Sequence, residues 1–163
     1  MKSYAVKWNR IMSNIVIRLA TRTDLDRLTF FLNELFSIET DFVIDIDKQK
    51  NGLELLFRNP KRSVIIVAEM DDIVVGMVTG QLVISTAIGG YSILLEDMFV
   101  VKEHRRLHLG AMLVDGLKSW GVDKGAKRIQ LVADRDNSPA LKFYCANGFS
   151  QGKMVALYRN LVL

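Results

Sequence analysis

The stretch LEDMFVVKEHRRLHLGAML, residues 95–113, limits what this chain can fold into more than any other. It continues an apolar, β-branched run that starts at Tyr91, passes through a short basic loop, and ends in an amphipathic run over 110–124 with Leu113, Val114, Leu117 and Trp120 on one side. A strand that feeds a helix through so short a loop aims the loop N–H groups and the free N–H groups of the first helical turn at one point. Such a point binds phosphate. Arg105 and Arg106 add charge there, which suits a pyrophosphate better than a lone carboxylate. A plain helix entry with surface arginines is the competing reading.

The rest of the chain supplies the layers that such a unit needs. A strand over 15–19 is followed by Thr23 and Asp26, spaced as a variant capping box, and by Leu25, Leu28, Leu32 and Leu35, which predict a helix to about Ile38. A second helix is expected over 47–57, stopped by Asn59-Pro60. Strands follow over 64–68 and 73–85 around an Asp71-Asp72 turn, then over 91–101 after Ile88-Gly89-Gly90, and over 128–133. Ser138-Pro139 reads as a cap before a proline-started helix running to Asn147-Gly148, and 149–161 reads as a last strand. The order βααβββαβαβ contains no repeat and no linker, so the expectation is an α/β chain with one central mixed β-sheet flanked by helices on both faces. Residues 1–13 read as an N-terminal extension lacking the apolar core of a secretory signal, with Met12 a candidate start, and 14–163 as a single domain.

Composition removes several function classes. One Cys and two His cannot assemble a zinc cluster of ordinary spacing or an internal disulfide framework, so no metal is expected and a reducing, cytoplasmic setting fits. No apolar run reaches the roughly 18 to 20 residues that span a bilayer, so no membrane partner is expected. The net charge of +4 favours an anionic partner without pointing to nucleic acid. Charge is also segregated: Glu34, Glu39, Asp41, Asp45 and Asp47 fall in a stretch free of Lys and Arg, whereas Lys102, Arg105 and Arg106 stand with His104 and His108. The first segment suits a cation and the second an anion; two solvated faces are the alternative.

A second stretch, DNSPALKFYCANGF over 136–149, joins the first in a pattern that resembles the Gcn5-related N-acetyltransferase (GNAT) superfamily. Glu96-Asp97-Met98-Phe99-Val100 matches the acidic-aromatic strand end of that family, and Arg105, Leu109, Gly110 and Ala111 match its glycine-rich loop. Asn137, Ala140, Phe143, Tyr144, Gly148 and Phe149 match its later motif in full. Arg106 and His108 stand where the family has glycine at the first two loop positions, sites at which close backbone approach or a positive φ is wanted. The likeness covers about Ile15 to the C-terminus.

The resemblance implies a GNAT-like acyl-CoA N-acyltransferase fold and transfer of an acetyl group from acetyl-CoA to a primary amine by direct attack on the thioester. In that reading the backbone of Met98, Phe99 and Val100 pairs with the pantetheine arm. Arg105, Arg106, Leu107, His108, Leu109, Gly110 and Ala111 hold the pyrophosphate, and Asn137 contacts the cofactor near that arm. Tyr144, a phenol that stays protonated at neutral pH, donates a proton to the departing thiolate. Glu96 is the candidate base for the attacking ammonium, with a solvated strand residue as its alternative. Asp97 is expected on the opposite face of the strand unless a bulge intervenes. Cys145 lacks a matched His or Asp partner and is read as a buried structural residue.

The partners implied are acetyl-CoA and an amine, with a small cationic acceptor favoured by the acidic segment. A homodimer is one expectation because dimers are common in the family. A non-catalytic acyl-CoA binding or sensing domain is the second function class, and a nucleic-acid binder using the Arg105-Arg106 patch, which lacks stacking aromatics nearby, is the third.

Overall fold

The computed structural model describes residues 14–38 and 44–161. The N-terminal extension, Met12, Glu39 and Asp41 lie outside the described residues. The chain divides into two compact units, one ending at Gln130 and one beginning at Leu131.

The first unit is built on a five-stranded sheet in the order β1 (Ile15–Leu19), β2 (Ser63–Met70), β3 (Ile73–Ser85), β4 (Gly90–Val100), β5 (Ala126–Gln130). The first four strands are antiparallel neighbours and β5 runs parallel to β4, so the sheet is mixed as expected. The β2–β3 turn is made by Asp71 and Asp72 at φ of 51° and 64°, the doubly left-handed geometry that matches strand twist in a two-residue hairpin. Helices α1 (Leu25–Ile38) and α3 (Leu109–Asp123) cover opposite faces, and α2 (Ile46–Arg58) packs against α1 and β2.

Both faces can be read residue by residue. On the α3 face, small residues let the helix approach: a Cβ on Gly80 would meet Leu117 and Ile93, one on Gly76 would meet Val100 and Leu113, and one on Gly116 would meet Ile17 and Ile66. On the α1 face, Phe31 stacks against Phe99 with ring centroids 5.3 Å apart, and the Arg27 Nε–H donates to the Val74 carbonyl at 2.9 Å. The core between them, including Val67, Met77, Val78, Ile93, Leu113 and Leu117, is almost wholly excluded from water.

The start of α1 differs from the sequence expectation. Thr21 and Asp24, not Thr23 and Asp26, form the cap, the Asp24 carboxylate accepting the Thr21 N–H at 2.7 Å. A buried charge decides this. Arg18 on β1 holds Asp24 through two nitrogens at 2.8 and 2.9 Å and also reaches Glu69, so the buried carboxylate held by Arg18 is the one that caps. Asp45 caps α2 by accepting the Lys48 N–H at 3.2 Å.

The second unit contains α4 (Ser138–Ala146). Its cap is Asn137, whose Oδ1 accepts the Ala140 N–H at 3.1 Å, so Ser138 opens the helix and Pro139 follows inside its first turn, where a missing N–H costs nothing. Two strand expectations are corrected. β5 stops at Gln130 rather than continuing to Ala133, its last paired residue standing beside Leu94 of β4. The last strand over 149–161 is not formed among the described residues; an alternating apolar run has no strand stability without ladder partners, and Met154, Leu157 and Tyr158 are exposed.

Candidate functional site

The departure of β4 from regular pairing creates the first part of the site. Gly80 pairs with Leu95 and Val78 with Met98, so Thr79 alone stands opposite two residues, Glu96 and Asp97. This is a β-bulge, and packing requires it. Ile93 faces α3 through Gly80 and Gly121, yet Val100, seven positions on, also faces α3 through Gly76, which strict alternation forbids. The extra residue resets the alternation and lets Phe99 reach Phe31 on the other side. Leu95 and Met98 share the α3 face with their partners Gly80 and Val78, which leaves Glu96 and Asp97 together on the α1 face. The two carboxylates therefore do not point apart as regular alternation would have them.

Glu96 is exposed and Asp97 half-buried. Thr79, fully buried, donates its hydroxyl proton to Asp97 Oδ2 at 2.9 Å and accepts the Asp97 N–H at 3.0 Å. The sequence reading missed Thr79, since a threonine inside a strand carries no signal beyond β-propensity.

β5 runs beside β4 only from Tyr91 to Leu94, so Met98, Phe99 and Val100 lie beyond its end. Phe99 is buried, and its ring lies 5.8 Å from the Arg105 guanidinium carbon. Arg105 turns back toward the strand, its Nε–H donating to the Val100 carbonyl at 3.0 Å, which ties the loop to the end of β4.

The loop itself carries the second part. Arg106 and His108 hold φ of 67° and 60°, the left-handed region, at the two positions where the related motif carries glycine. The backbone path that glycine makes easy is thus retained by two residues for which it costs about 1–2 kcal/mol each. His108 is the residue that enters α3, and its side chain makes no capping bond, although its carbonyl accepts the Met112 N–H at 3.0 Å. Leu109, Gly110 and Ala111 form the first helical turn, whose N–H groups have no acceptor within the helix. Leu109 is buried and anchors this turn; Arg106 and His108 are exposed and Leu107 is partly covered.

Asn137 and Tyr144 belong to the second unit. Asn137 uses its side-chain oxygen as the α4 cap. Tyr144 is half-buried between Phe143 and Phe149, with edge-on rings 5.3 and 5.5 Å away, an aromatic setting that fixes the ring. Cys145 is exposed rather than buried, on a helix in which no described residue is buried.

Known proteins give the following likenesses. A model of the acetyltransferase (GNAT) family matches residues 26–149. No curated protein matches the chain. A possible acetyltransferase from Clostridium difficile 630 is 21% identical over 91% of this chain and 99% of its own, with a TM-score of 0.80. The aminoglycoside N-acetyltransferase AAC(6')-Iy, solved with CoA, is 19% identical over 94% of this chain and 99% of its own, with a TM-score of 0.78. A transcriptional regulator from Bacillus halodurans C-125 is 22% identical over 91% of this chain and all of its own, with a TM-score of 0.77. Identities this low speak to the fold.

Proposed function

Because this chain belongs to the acetyltransferase (GNAT) family, we propose that it transfers the acetyl group of acetyl-CoA to a primary amine of a small, cationic acceptor by direct attack of the amine on the thioester. The observation that carries this reading is the pair of departures in one strand–loop–helix unit. A bulge turns Glu96 and Asp97 to one face, and a left-handed loop leads into the free N–H groups of α3. The family match runs across the boundary at Gln130, which supports treating 14–163 as one N-acetyltransferase domain. Among the described residues no helix is long and apolar enough to cross a membrane, and a cytoplasmic setting is part of the proposal.

Acetyl-CoA fits the chemistry of the residues present. Its pyrophosphate is a doubly anionic ligand for the N–H groups of Leu109, Gly110 and Ala111, with Arg106 as the exposed cation beside them. The strand residues Met98, Phe99 and Val100 continue past β5 and offer their backbone to the pantetheine arm, and Asn137, the cap of α4, is proposed as a further cofactor contact. An amine is mostly ammonium at neutral pH, so it must lose a proton before it can attack. Glu96 takes that proton, and Tyr144 gives one to the departing thiolate. A cationic acceptor fits two carboxylates on one face, with Glu34 exposed on α1. Aminoglycoside N-acetyltransferases among the similar structures support the same acceptor class.

The test is release of free thiol from acetyl-CoA with a panel of amines, run beside the Tyr144→Phe variant. Removing only the hydroxyl keeps the aromatic packing, so stability and cofactor affinity should change little while turnover falls on the order of 10² to 10⁴-fold. A folded Tyr144→Phe enzyme with full turnover in the chemistry-limited regime would remove Tyr144 from the mechanism. Binding of acetyl-CoA without thiol release from any amine would replace the enzyme by an acyl-CoA sensing domain.

A further inference from the structure

The bulge that carries Glu96 is met by a buried residue of the neighbouring strand. A bulge breaks the ladder and leaves an N–H in need of an acceptor inside the sheet. Here that N–H belongs to Asp97, and the acceptor is Thr79 Oγ1 at 3.0 Å. The same hydroxyl donates to Asp97 Oδ2 at 2.9 Å, so backbone and side chain of one bulge residue close on one fully buried hydroxyl. Core packing on the two faces demands that a bulge exist between Leu95 and Met98, but it says nothing about the orientation of the peptides within it. That orientation is set by the hydroxyl. Valine, of nearly the same shape, has neither the acceptor for the N–H nor the proton for the carboxylate.

We propose that Thr79 is a positioning residue for acetyl transfer: its hydroxyl locks Asp97 in the bulge and thereby fixes the direction in which Glu96, one peptide away on the same face, presents its carboxylate to the acceptor amine. This rests on the acetyltransferase reading above. Thr79 touches neither substrate in this scheme and acts through the bulge. Its loss therefore moves the proton-transfer step and leaves acetyl-CoA binding, which rests on the loop after β4 and on the backbone of Met98, Phe99 and Val100 beyond the bulge, in place.

The experiment separates hydroxyl from methyl. Thr79→Val keeps the β-branched fit and removes the hydroxyl; Thr79→Ser keeps the hydroxyl and removes a methyl group. In the thiol-release assay with the best amine of the panel, Thr79→Val should lose roughly 10- to 100-fold in kcat, the scale of a displaced catalytic group, with the KM for acetyl-CoA within about twofold. Thr79→Ser should stay within about threefold of the parent. Combined with Glu96→Gln, Thr79→Val should cost little beyond Glu96→Gln alone, since one residue acts through the other. An unchanged kcat in Thr79→Val, fully multiplicative losses in the double variant, or a serine variant as impaired as the valine one would each overturn the inference while the parent's turnover leaves the acetyltransferase reading standing. A parent that binds acetyl-CoA yet releases no thiol with any amine overturns both. Should Thr79→Val lack a cooperative melt, Thr79→Cys, a weak donor of similar volume, takes its place under the same criteria.

Discussion

The bulge in β4 and the loop that follows it both abandon regular backbone geometry, and they are held in opposite ways. Around the bulge, Ile93, Leu95 and Phe99 are buried, Thr79 is fully buried, and each face of the sheet dictates which residues must point toward it. The loop has no such enclosure. Arg106 and His108 are exposed in left-handed conformations, with Leu109 as the buried anchor on the helix side and Arg105 tied back to Val100 on the strand side. Strain of this kind persists where neighbouring structure imposes it and concentrates where ligands are held. In the proposed reaction the two regions do separate work: the enclosed bulge orients proton chemistry, and the strained loop presents N–H groups to an anion.

If that division holds, variants in the two regions affect different kinetic constants. Glu96→Gln should give the largest change, a loss in kcat on the order of 10² to 10⁴-fold, with the melting temperature and its increase on adding acetyl-CoA both preserved. Loss of cofactor stabilisation in this variant would break the comparison, because the bulge would then be serving the anion site as well. Arg106→Ala is the complementary change. Removing one exposed, charge-assisted contact should raise the KM for acetyl-CoA about tenfold while kcat stays nearly constant, and the effect should shrink as salt is added. An equal fall in kcat would show that the loop reaches into the chemistry.

The face that carries Glu96 also has an acid-sensitive edge. The Arg18 guanidinium, by hydrogen bonding first and by charge second, holds the Asp24 carboxyl below the usual carboxylate range, and Asp24 in turn caps the entry to α1. A carboxyl depressed in the folded state contributes stability above its unfolded pKa of about 3.9, and that contribution is lost as pH falls through the lower folded value. The melting temperature should therefore decline below about pH 4, and Asp24→Asn should flatten that part of the profile while lowering stability at neutral pH. A variant with an unaltered acid limb would assign the acid sensitivity elsewhere.

Much of this architecture was legible before any coordinates. The strand over 73–85 could be read to its ends because the alternation was long and both turns were marked, by Asp71-Asp72 and by Gly89-Gly90. The helix after the loop was found within one residue for a similar reason, since Leu113, Leu117 and Trp120 form a single apolar stripe closed by Gly125. Two of the failures share a cause, which is that a partner outside the local motif decided the outcome. Arg18 selected Asp24 as a cap in place of Asp26, and Thr79 with the packing of both faces turned Asp97 to the side of Glu96. The run over 149–161 has the alternation of a strand but forms no ladder among the described residues. Spacing in the sequence records local periodicity; it does not record which distant group satisfies a given N–H or carboxylate.

The smallest expected effect is also the sharpest test of the loop. His108 occupies the left-handed region at φ 60° and gives no side-chain bond to the helix it opens, so its conformation is a local cost with no visible local return. Glycine at this position removes that cost of about 1–2 kcal/mol, and it is an acceptable residue at a helix N-cap. Against this, glycine adds freedom to the unfolded chain, worth about 0.4–1 kcal/mol. The balance for His108→Gly is a gain of about 0–1.6 kcal/mol, which in a domain of this size is a rise in melting temperature of at most about 6 °C. The N–H groups of Leu109, Gly110 and Ala111 keep their directions, so affinity for acetyl-CoA, read as the shift in melting temperature at rising cofactor, should be equal or slightly higher. A tenfold loss of affinity in a variant that melts no lower than the parent would mean that the imidazole itself touches the anion. The left-handed histidine would then be a ligand contact held in place by strain, and the division between an orienting bulge and a purely backbone cradle would have to give way to a loop that binds with its side chains.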